Sequence, residues 1–417
     1  MWATVRARGV QRVKRIGTAA SGARRGLLAG AVGAILLLAT ACGGHGGTGS
    51  GAGSSGESAA KTSQAVVTVL PRDGATDVAT SGALKVTAAH GRLTQVEVKD
   101  GKGTEVPGKV TPDGTGWTPD SHLAVSTKYT VDAVAKDDQG RQSAKHATFT
   151  TVVPKDSFIG FFTPDDGTTV GVGTEVSLSF NRPIDDTKAV EDGIKVTASP
   201  SVPVVGHWFG NQRIDFRPEN YWAPGTKVTL SLRLDGVQSA PGVYGSQSKD
   251  VHFTIGRNQV SYVDASTHEM RVTQNGQTIK TIPISAGSPE HTTYNGRMVI
   301  SEKDPITRMN GSTVGFGGEY DIPDVPHAMR LTQSGTFIHG NYWGADSVFG
   351  SENTSHGCVG LRDEKGGGEN GTPAAWFYDH SMIGDVVVVS NSHDHTVAPD
   401  NGFNGWNMPW SQWTAGQ

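Results

Sequence analysis

Cysteine occurs twice in the 417 residues, as Cys42 and Cys358. Cys358 stands in Ser355-His356-Gly357-Cys358-Val359, and fifteen residues separate Ser355 from His339, which ends the short apolar run Phe337-Ile338. A thiol is nucleophilic only as the thiolate, and free cysteine, with a pKa of about 8.5, is mostly protonated at neutral pH. A neighbouring imidazole can take that proton and leave a thiolate–imidazolium pair. Two are candidates. His356 shares a face with Cys358 only if the chain is extended there. His339 approaches through folding and has the freer orientation. Gly340 and Gly357 let backbone N–H groups come close to a substrate, as an oxyanion site requires. Competing chemistries fit less well. Zinc needs three or four ligands, no second cysteine is near, and His393-Asp394-His395 lies past the last strand in what reads as a solvated loop. A buried, inert thiol does not account for two histidines and several glycines around it. An exported chain could pair Cys42 with Cys358 in a disulfide, but the flanks of each fit a separate task.

The flank of Cys42 is an export signal. Arg6, Arg8, Arg12, Lys14, Arg15, Arg24 and Arg25 form a basic region without acidic residues, followed by an apolar stretch from Gly26 to Ala41. That stretch falls short of the roughly 20 residues that span a bilayer, which disfavours a permanent transmembrane helix. Leu38-Ala39-Thr40-Ala41-Cys42 resembles the lipobox of bacterial lipoproteins, with Ala39 where those proteins usually carry Leu. The resemblance implies that Cys42 receives a diacylglycerol and becomes the mature N-terminus, anchoring the protein to the membrane. Arg24-Arg25 loosely resembles a twin-arginine signal, and the export route stays open.

The whole chain holds 36 basic and 40 acidic residues, a net charge of −4. Residues 1–41 carry seven of the basic and none of the acidic residues, so the remainder has 29 against 40, a net −11. A nucleic-acid partner would need a basic face, which this balance excludes. Anchoring would therefore rest on acyl chains and not on a polybasic patch.

Residues 42–64 are Gly, Ser, Ala and Thr with little apolar bulk, the composition of a flexible tether with a reach of roughly 25 Å. Strand-like runs follow, among them 65–70, 83–88, 127–135 and 147–152, alternating with Gly, Pro and Asp turns and without long helical periodicity. The class is mainly all-β. Trp117-Thr118-Pro119, then Leu123-Ala124 and Thr127 to Val131, is echoed 99 residues later by Phe216-Arg217-Pro218, Trp222-Ala223 and Thr226 to Leu230. That repeat predicts two immunoglobulin-like sandwiches at 65–152 and 153–256, read as spacers without a catalytic cluster. Residues 257–392 form the third region. Strands are expected at 260–264, 269–273, 278–285, 298–301 and 385–390, a hairpin turn at Asn275-Gly276, and one helix at 373–382 capped by Thr372. The tail, 393–417, carries Phe403, Trp406, Trp410 and Trp413. Trp anchors bury roughly 150–250 Å² each, and the tail is expected to pack on the second sandwich.

The motif in the third region resembles that of bacterial L,D-transpeptidases with a YkuD-type catalytic domain: a His, fourteen to seventeen residues, then Ser/Thr-His-Gly-Cys, a hydrophobic residue and Asn. Trp376-Phe377-Tyr378-Asp379 and Gly384-Asp385-Val386 match the helix and strand that follow it. The sandwiches, lipobox and Trp-rich tail extend the resemblance to the mycobacterial type. It implies Cys358 as nucleophile, His339 as its base, the Gly340 carbonyl as the group orienting that imidazole, and His356 as a structural residue of the loop. It places Tyr320 in a lid, and Ser334, Gly335, Ser355, Gly357 and Gly360 at the substrate. Gly360 departs from the family, standing where Asn is usual. No cofactor and no metal are implied. The implied partners are peptidoglycan stem peptides, a donor tetrapeptide and an acceptor amine, with carbapenem β-lactams as covalent inhibitors. The implied reaction is formation of 3→3 cross-links through a thioester, with loss of D-Ala, outside the cytoplasmic membrane and within reach of the wall. An L,D-carboxypeptidase of the same fold and a non-catalytic wall-binding lipoprotein are the alternatives.

Overall fold

Alternation dictates the first two layers. Val66–Leu70 and Lys85–Ala89 bury every second residue, the period-2 pattern of a half-buried strand. The computed structural model describes residues 62–415; the export signal, Cys42 and nearly all of the tether lie outside them. Strands between Val66 and Thr151 form two four-stranded sheets packed over Val86, Trp117, Tyr129, Val131 and Phe149. Strands between Asp156 and Ile255 form a second pair of four-stranded sheets, plus a three-stranded ribbon, over Phe158, Leu178, Phe216, Trp222 and Leu230. The sequence echo is a structural one. Trp117 and Phe216 enter the two cores from equivalent strands, Gly116–Pro119 and Arg213–Arg217, and Leu123 and Trp222 are buried just after them.

The third region is built on nine strands: β1 (Gln259–Asp264), β2 (Glu269–Gln274), β3 (Gln277–Ser285), β4 (Gly296–Val299), β5 (Glu302–Asn310), β6 (Asp321–Arg330), β7 (Phe337–Asn341), β8 (Val359–Arg362) and β9 (Val386–Ser390). Their order in the sheet is β4-β9-β1-β2-β3-β8-β7-β6-β5. Asn275 and Gly276 make the β2–β3 turn with φ of 50° and 80°, the conformation a two-residue hairpin requires. β3 joins the two halves of the sheet. Its first part pairs with β2, and Ile284 and Ser285 at its end pair with β8.

The expected helix is shorter than its pattern, at Pro373–Asp379. Thr372 caps it, accepting from the Ala375 N–H. At the other end Lys303 Nζ donates to the carbonyls of Tyr378 and Ser381, 2.6 Å each, which satisfies exposed acceptors where the helix dipole also favours a cation. The Met382 N–H donates to Asp385 instead of continuing the helix.

The second sandwich docks on the third region through bare backbone. The Gly171 N–H donates to Ile383 O at 2.8 Å and the Gly173 N–H to Gly384 O at 2.9 Å. A Cβ on Gly171 would overlap the backbone of Gly384 and Asp385. Val260 and Val386 belong to the same buried cluster as the second sandwich, so one apolar core crosses the boundary.

The tail packs on the second sandwich and, beyond that expectation, on the third region. Trp413 is fully buried and donates through Nε1 to Val205 O at 3.0 Å. Trp406 Nε1 donates to Gly173 O at 2.7 Å. The Arg217 guanidinium lies 4.8, 5.2 and 4.3 Å from the ring centres of Trp406, Trp410 and Trp413, a cation–π cage, and burial lowers its pKa to about 10. On the other side Asn404 and Asn407 accept from the N–H groups of Val299 and Arg297, both on β4. The loop at 393–395 is also tied down, for Thr292 donates to Asp394 at 2.9 Å. Among the described residues no helix is long and apolar enough to cross a membrane.

The Gly171 contact gives a direct test. Gly171→Ala leaves no flexible side chain to move aside, and overpacking of this kind costs about 1–3 kcal/mol. Chemical denaturation of the variant should show that loss in the transition reporting the third region.

Candidate active site

β7 and β8 run parallel with Ile338 opposite Val359, His339 opposite Gly360, Gly340 opposite Leu361 and Asn341 opposite Arg362. Cys358 is the residue before β8. The register therefore sets the thiol and the His339 ring at the same end of neighbouring strands. Both line a cavity of about 230 Å³ together with Tyr320, Asn341, Trp343 and His356.

Behind His339 stands a buried polar network. The imidazole donates from Nδ1 to Gly340 O at 2.9 Å, which leaves the Nε2 lone pair for the cavity. A Cβ on Gly340 would collide with the Asp363 carboxylate, so only glycine fits there. Asp363 itself lies 2.7 Å from His327 Nδ1 and accepts from Thr372 Oγ1 at 2.8 Å. The helix cap thus also positions this carboxylate. Trp343 stacks on His339 with ring centres 5.7 Å apart and planes 16° apart. Burial lowers the pKa of His339, with the Gly340 carbonyl and Asp363 acting in the other direction.

The cysteine loop is shaped by Ser355. Its hydroxyl donates to Cys358 O at 2.6 Å and accepts from the Gly357 N–H at 3.2 Å. Gly357, at φ +103°, turns the chain. Its N–H is engaged within the loop and is not presented to a substrate. The Cys358 thiol is directed at Gly335 O, 3.7 Å away, and burial raises its pKa to about 11. Both shifts disfavour the charged forms, while Cys358 keeps part of its surface open to solvent.

Ser334 and Gly335 form the opposite rim. Ser334 accepts from Asn401 Nδ2 at 2.8 Å while its N–H donates to Asn401 Oδ1 at 2.9 Å, so the tail holds this turn. Gly335, at φ +103°, lies against Val314. Val314 belongs to the connection between β5 and β6, which also supplies Phe316, Glu319 and Tyr320. Tyr320 is half-buried over the cavity, and burial and the neighbouring Cys358 and Glu319 raise its pKa to about 12. His356 turns toward this connection: its Nε2 lies 3.1 Å from Glu319 Oε2 and its ring 5.0 Å from that of Tyr320. It makes no hydrogen bond to Cys358.

Asn341, Trp343, His327 and Asp363 were not singled out from sequence. Asn341 also bears on the Gly360 departure. A Cβ built on Gly360 would lie 3.5 Å from Asn341 Nδ2 and 3.4 Å from Ser285 O. Alanine therefore fits at 360, whereas a longer amide would contest the space that the Asn341 side chain fills from the adjacent strand. Gly360→Ala should leave stability within about 0.5 kcal/mol. Gly360→Asn should cost about 1–3 kcal/mol, and adding Asn341→Ala should recover most of it, as read by denaturant titration.

The comparisons agree with this geometry. Residues 258–389 match the YkuD family, described as the L,D-transpeptidase catalytic domain, and residues 75–238 match a bacterial Ig domain family. The chain is 34% identical over 355 residues to L,D-transpeptidase 2 of Mycobacterium tuberculosis, covering 84% of each. It is 30% identical over 356 residues to L,D-transpeptidase 5 of the same organism, covering 84% of this chain and 76% of the relative. A solved structure of L,D-transpeptidase 3 from that organism with a faropenem-derived adduct aligns with a TM-score of 0.45 at 26% identity, over 55% of this chain and 97% of the other. With a relative this similar over this much of both chains, and the family match falling on the segment that holds His339 and Cys358, the chain belongs to the YkuD family of L,D-transpeptidases.

Proposed function

We propose that the protein forms 3→3 cross-links in peptidoglycan through a thioester on Cys358. The observation that carries this reading is the His339 tautomer. With Nδ1–H fixed on the Gly340 carbonyl, Nε2 is the basic atom and opens on the cavity that holds the thiol. Cys358 attacks the carbonyl of the third stem residue, a diaminopimelate. His339 takes the thiol proton as the S–C bond forms, then delivers it to the departing D-Ala amine as the C–N bond breaks. The side-chain amine of a second stem next attacks the thioester. His339 accepts its proton and returns it to the leaving sulfur, which restores the free thiol. No external energy source is consumed, because the thioester retains the acyl activation of the cleaved amide.

In this reading Ser355 and Gly357 shape the nucleophile loop, Tyr320 covers the site, and Ser334 and Gly335 border the donor groove. His356 holds the loop to the covering segment. The sandwiches hold the catalytic region away from the bilayer, to which Cys42 is fastened by lipid. Carbapenems enter as donor mimics, since their strained carbonyl can take the same sulfur.

The purified protein, given a tetrapeptide stem, should gain transiently the mass of the stem minus D-Ala, at Cys358. Cys358→Ser should show no adduct, and His339→Ala should lower the acylation rate by roughly 10²–10⁴-fold. Product dimers identify transpeptidation, and tripeptide without dimer would establish a carboxypeptidase instead. The pH profile has a defined sign. Burial lowers the His339 pKa, so its basic form is already present at neutral pH. The Cys358 pKa is raised to about 11, so alkylation by iodoacetamide should climb through the alkaline range. A plateau reached near neutral pH would mean a resting thiolate–imidazolium pair.

The anchor is tested separately. Cys42→Ala should release the protein from the membrane fraction or block its processing. Unchanged, detergent-dependent membrane association of that variant would end the lipoprotein reading.

A further inference from the structure

Three connections meet at the mouth of the cavity, and each contributes one side chain to a cluster that transpeptidation does not use in full. His291 comes from the segment between β3 and β4, Glu319 from the segment between β5 and β6, and His356 from the loop before Cys358. Glu319 Oε2 lies 3.1 Å from His356 Nε2 and 3.4 Å from His291 Nε2. One ligand atom from each of the three residues falls within 4.8 Å of the other two. The imidazoles are stacked, with centres 4.8 Å apart and planes 21° apart. Phe316 packs edge-on against both rings, at 5.1 and 5.7 Å, which limits their rotation.

We propose that His291, Glu319 and His356 bind a zinc-type divalent cation that fastens the segment from Gly311 to Tyr320 over the cysteine. Two imidazole nitrogens and one carboxylate oxygen are a donor set that zinc takes, with bonds of about 2.0–2.2 Å. Tetrahedral bonds of that length put ligand atoms roughly 3.3 Å apart, close to the two nitrogen–oxygen separations observed. A cation at Glu319 Oε2 also answers the electrostatics. A carboxylate flanked by two imidazole nitrogens at 3.1 and 3.4 Å offers three electron-pair donors that one positive centre can serve together. Glu319 is half-exposed, so the fourth coordination position faces solvent. Zinc was set aside in the sequence because no second cysteine stood near Cys358 and His393-Asp394-His395 read as a solvated loop. These ligands are assembled from residues far apart along the chain.

The consequence is mechanical. Val314 already lies against Gly335 and Tyr320 lines the cavity. A metal bond from Glu319 to His356, two residues before the nucleophile, ties the covering segment to the cysteine loop. Zinc bound there holds that segment against displacement by a donor, and so acts as a brake on acylation. Binding does not depend on the cross-linking reading; the brake rests on it.

Zinc titration of the full chain by calorimetry, with circular dichroism to confirm folding, should give one site per chain. His291→Ala and Glu319→Gln should each weaken it at least roughly tenfold. Cobalt(II) in the same site should give the visible bands of a tetrahedral nitrogen–oxygen centre without a thiolate charge-transfer band. Equal zinc affinity in folded His291→Ala or Glu319→Gln, a thiolate band, or no binding by the parent chain would overturn the site. In the parent, zinc should slow Cys358 acylation by a carbapenem, and in both variants it should not. Specific binding with no slowing would remove the brake. A chain that binds zinc yet is never acylated would count against the cross-linking reading while leaving the site intact.

Discussion

Everything at the site depends on two strands running parallel. Antiparallel neighbours can be joined by a tight turn, but parallel ones need a crossover. The chain between Asn341 and Val359 makes that crossover without a long helix. It leaves β7 beyond Asn341, opposite the last residue of β8, and must run back along the sheet to the end where Val359 opens β8. Trp343 comes from its first turn, and Ser355, His356 and Cys358 from its last. The cavity walls are thus the two ends of one loop, and the register of Ile338 with Val359 sets their spacing. A slip of one residue would turn either His339 or the residues of β8 to the other face.

That register is held from behind. Asp363 occupies the space a side chain at 340 would need, and it is kept in place by His327 and by the hydroxyl of Thr372. A buried carboxylate is tolerable only when such partners satisfy it. Thr372 also starts the helix, whose far end leads through Gly384 into β9 and receives the second sandwich at Gly171 and Gly173. The orientation of the His339 imidazole and the docking of the second sandwich therefore hang on the two ends of one seven-residue helix.

The chemistry was legible in the sequence because its parts are close in the chain. His339, Ser355, His356, Gly357 and Cys358 fall within twenty residues; Gly340 was read as a close approach to substrate, whereas the Asp363 carboxylate lies against it. The supporting groups were not. Asp363, His327 and Asn341 act across strands, and nothing local marks an aspartate or asparagine as buried. Thr372 was visible as a cap, but not as a donor to Asp363. β5 and β6 went unread because Pro305, Pro323 and Pro326 with flanking charges break the period-2 pattern. That is the composition of a sheet edge, and β5 is an edge strand while β6 pairs with β7 only at Met329 and Arg330. The sandwiches were readable through their repeat. Their backbone docking was not, because Gly171 and Gly173 look like ordinary turn glycines.

The protonation states link this architecture to its setting. A permanent thiolate is the species that oxidants attack, and susceptibility follows thiolate character and exposure. Here burial raises the Cys358 pKa and lowers that of His339, both against charge, with the thiol directed at the Gly335 carbonyl. In the proposed mechanism a donor carbonyl supplies the electrophile toward which charge can flow, so proton transfer and S–C bond formation advance together. The segment that carries Val314 and Tyr320 lies along the same space, Val314 against Gly335 and Tyr320 lining the cavity. Under the proposed cross-linking mechanism charge then develops at sulfur only in the occupied site, which suits the export also proposed for this chain.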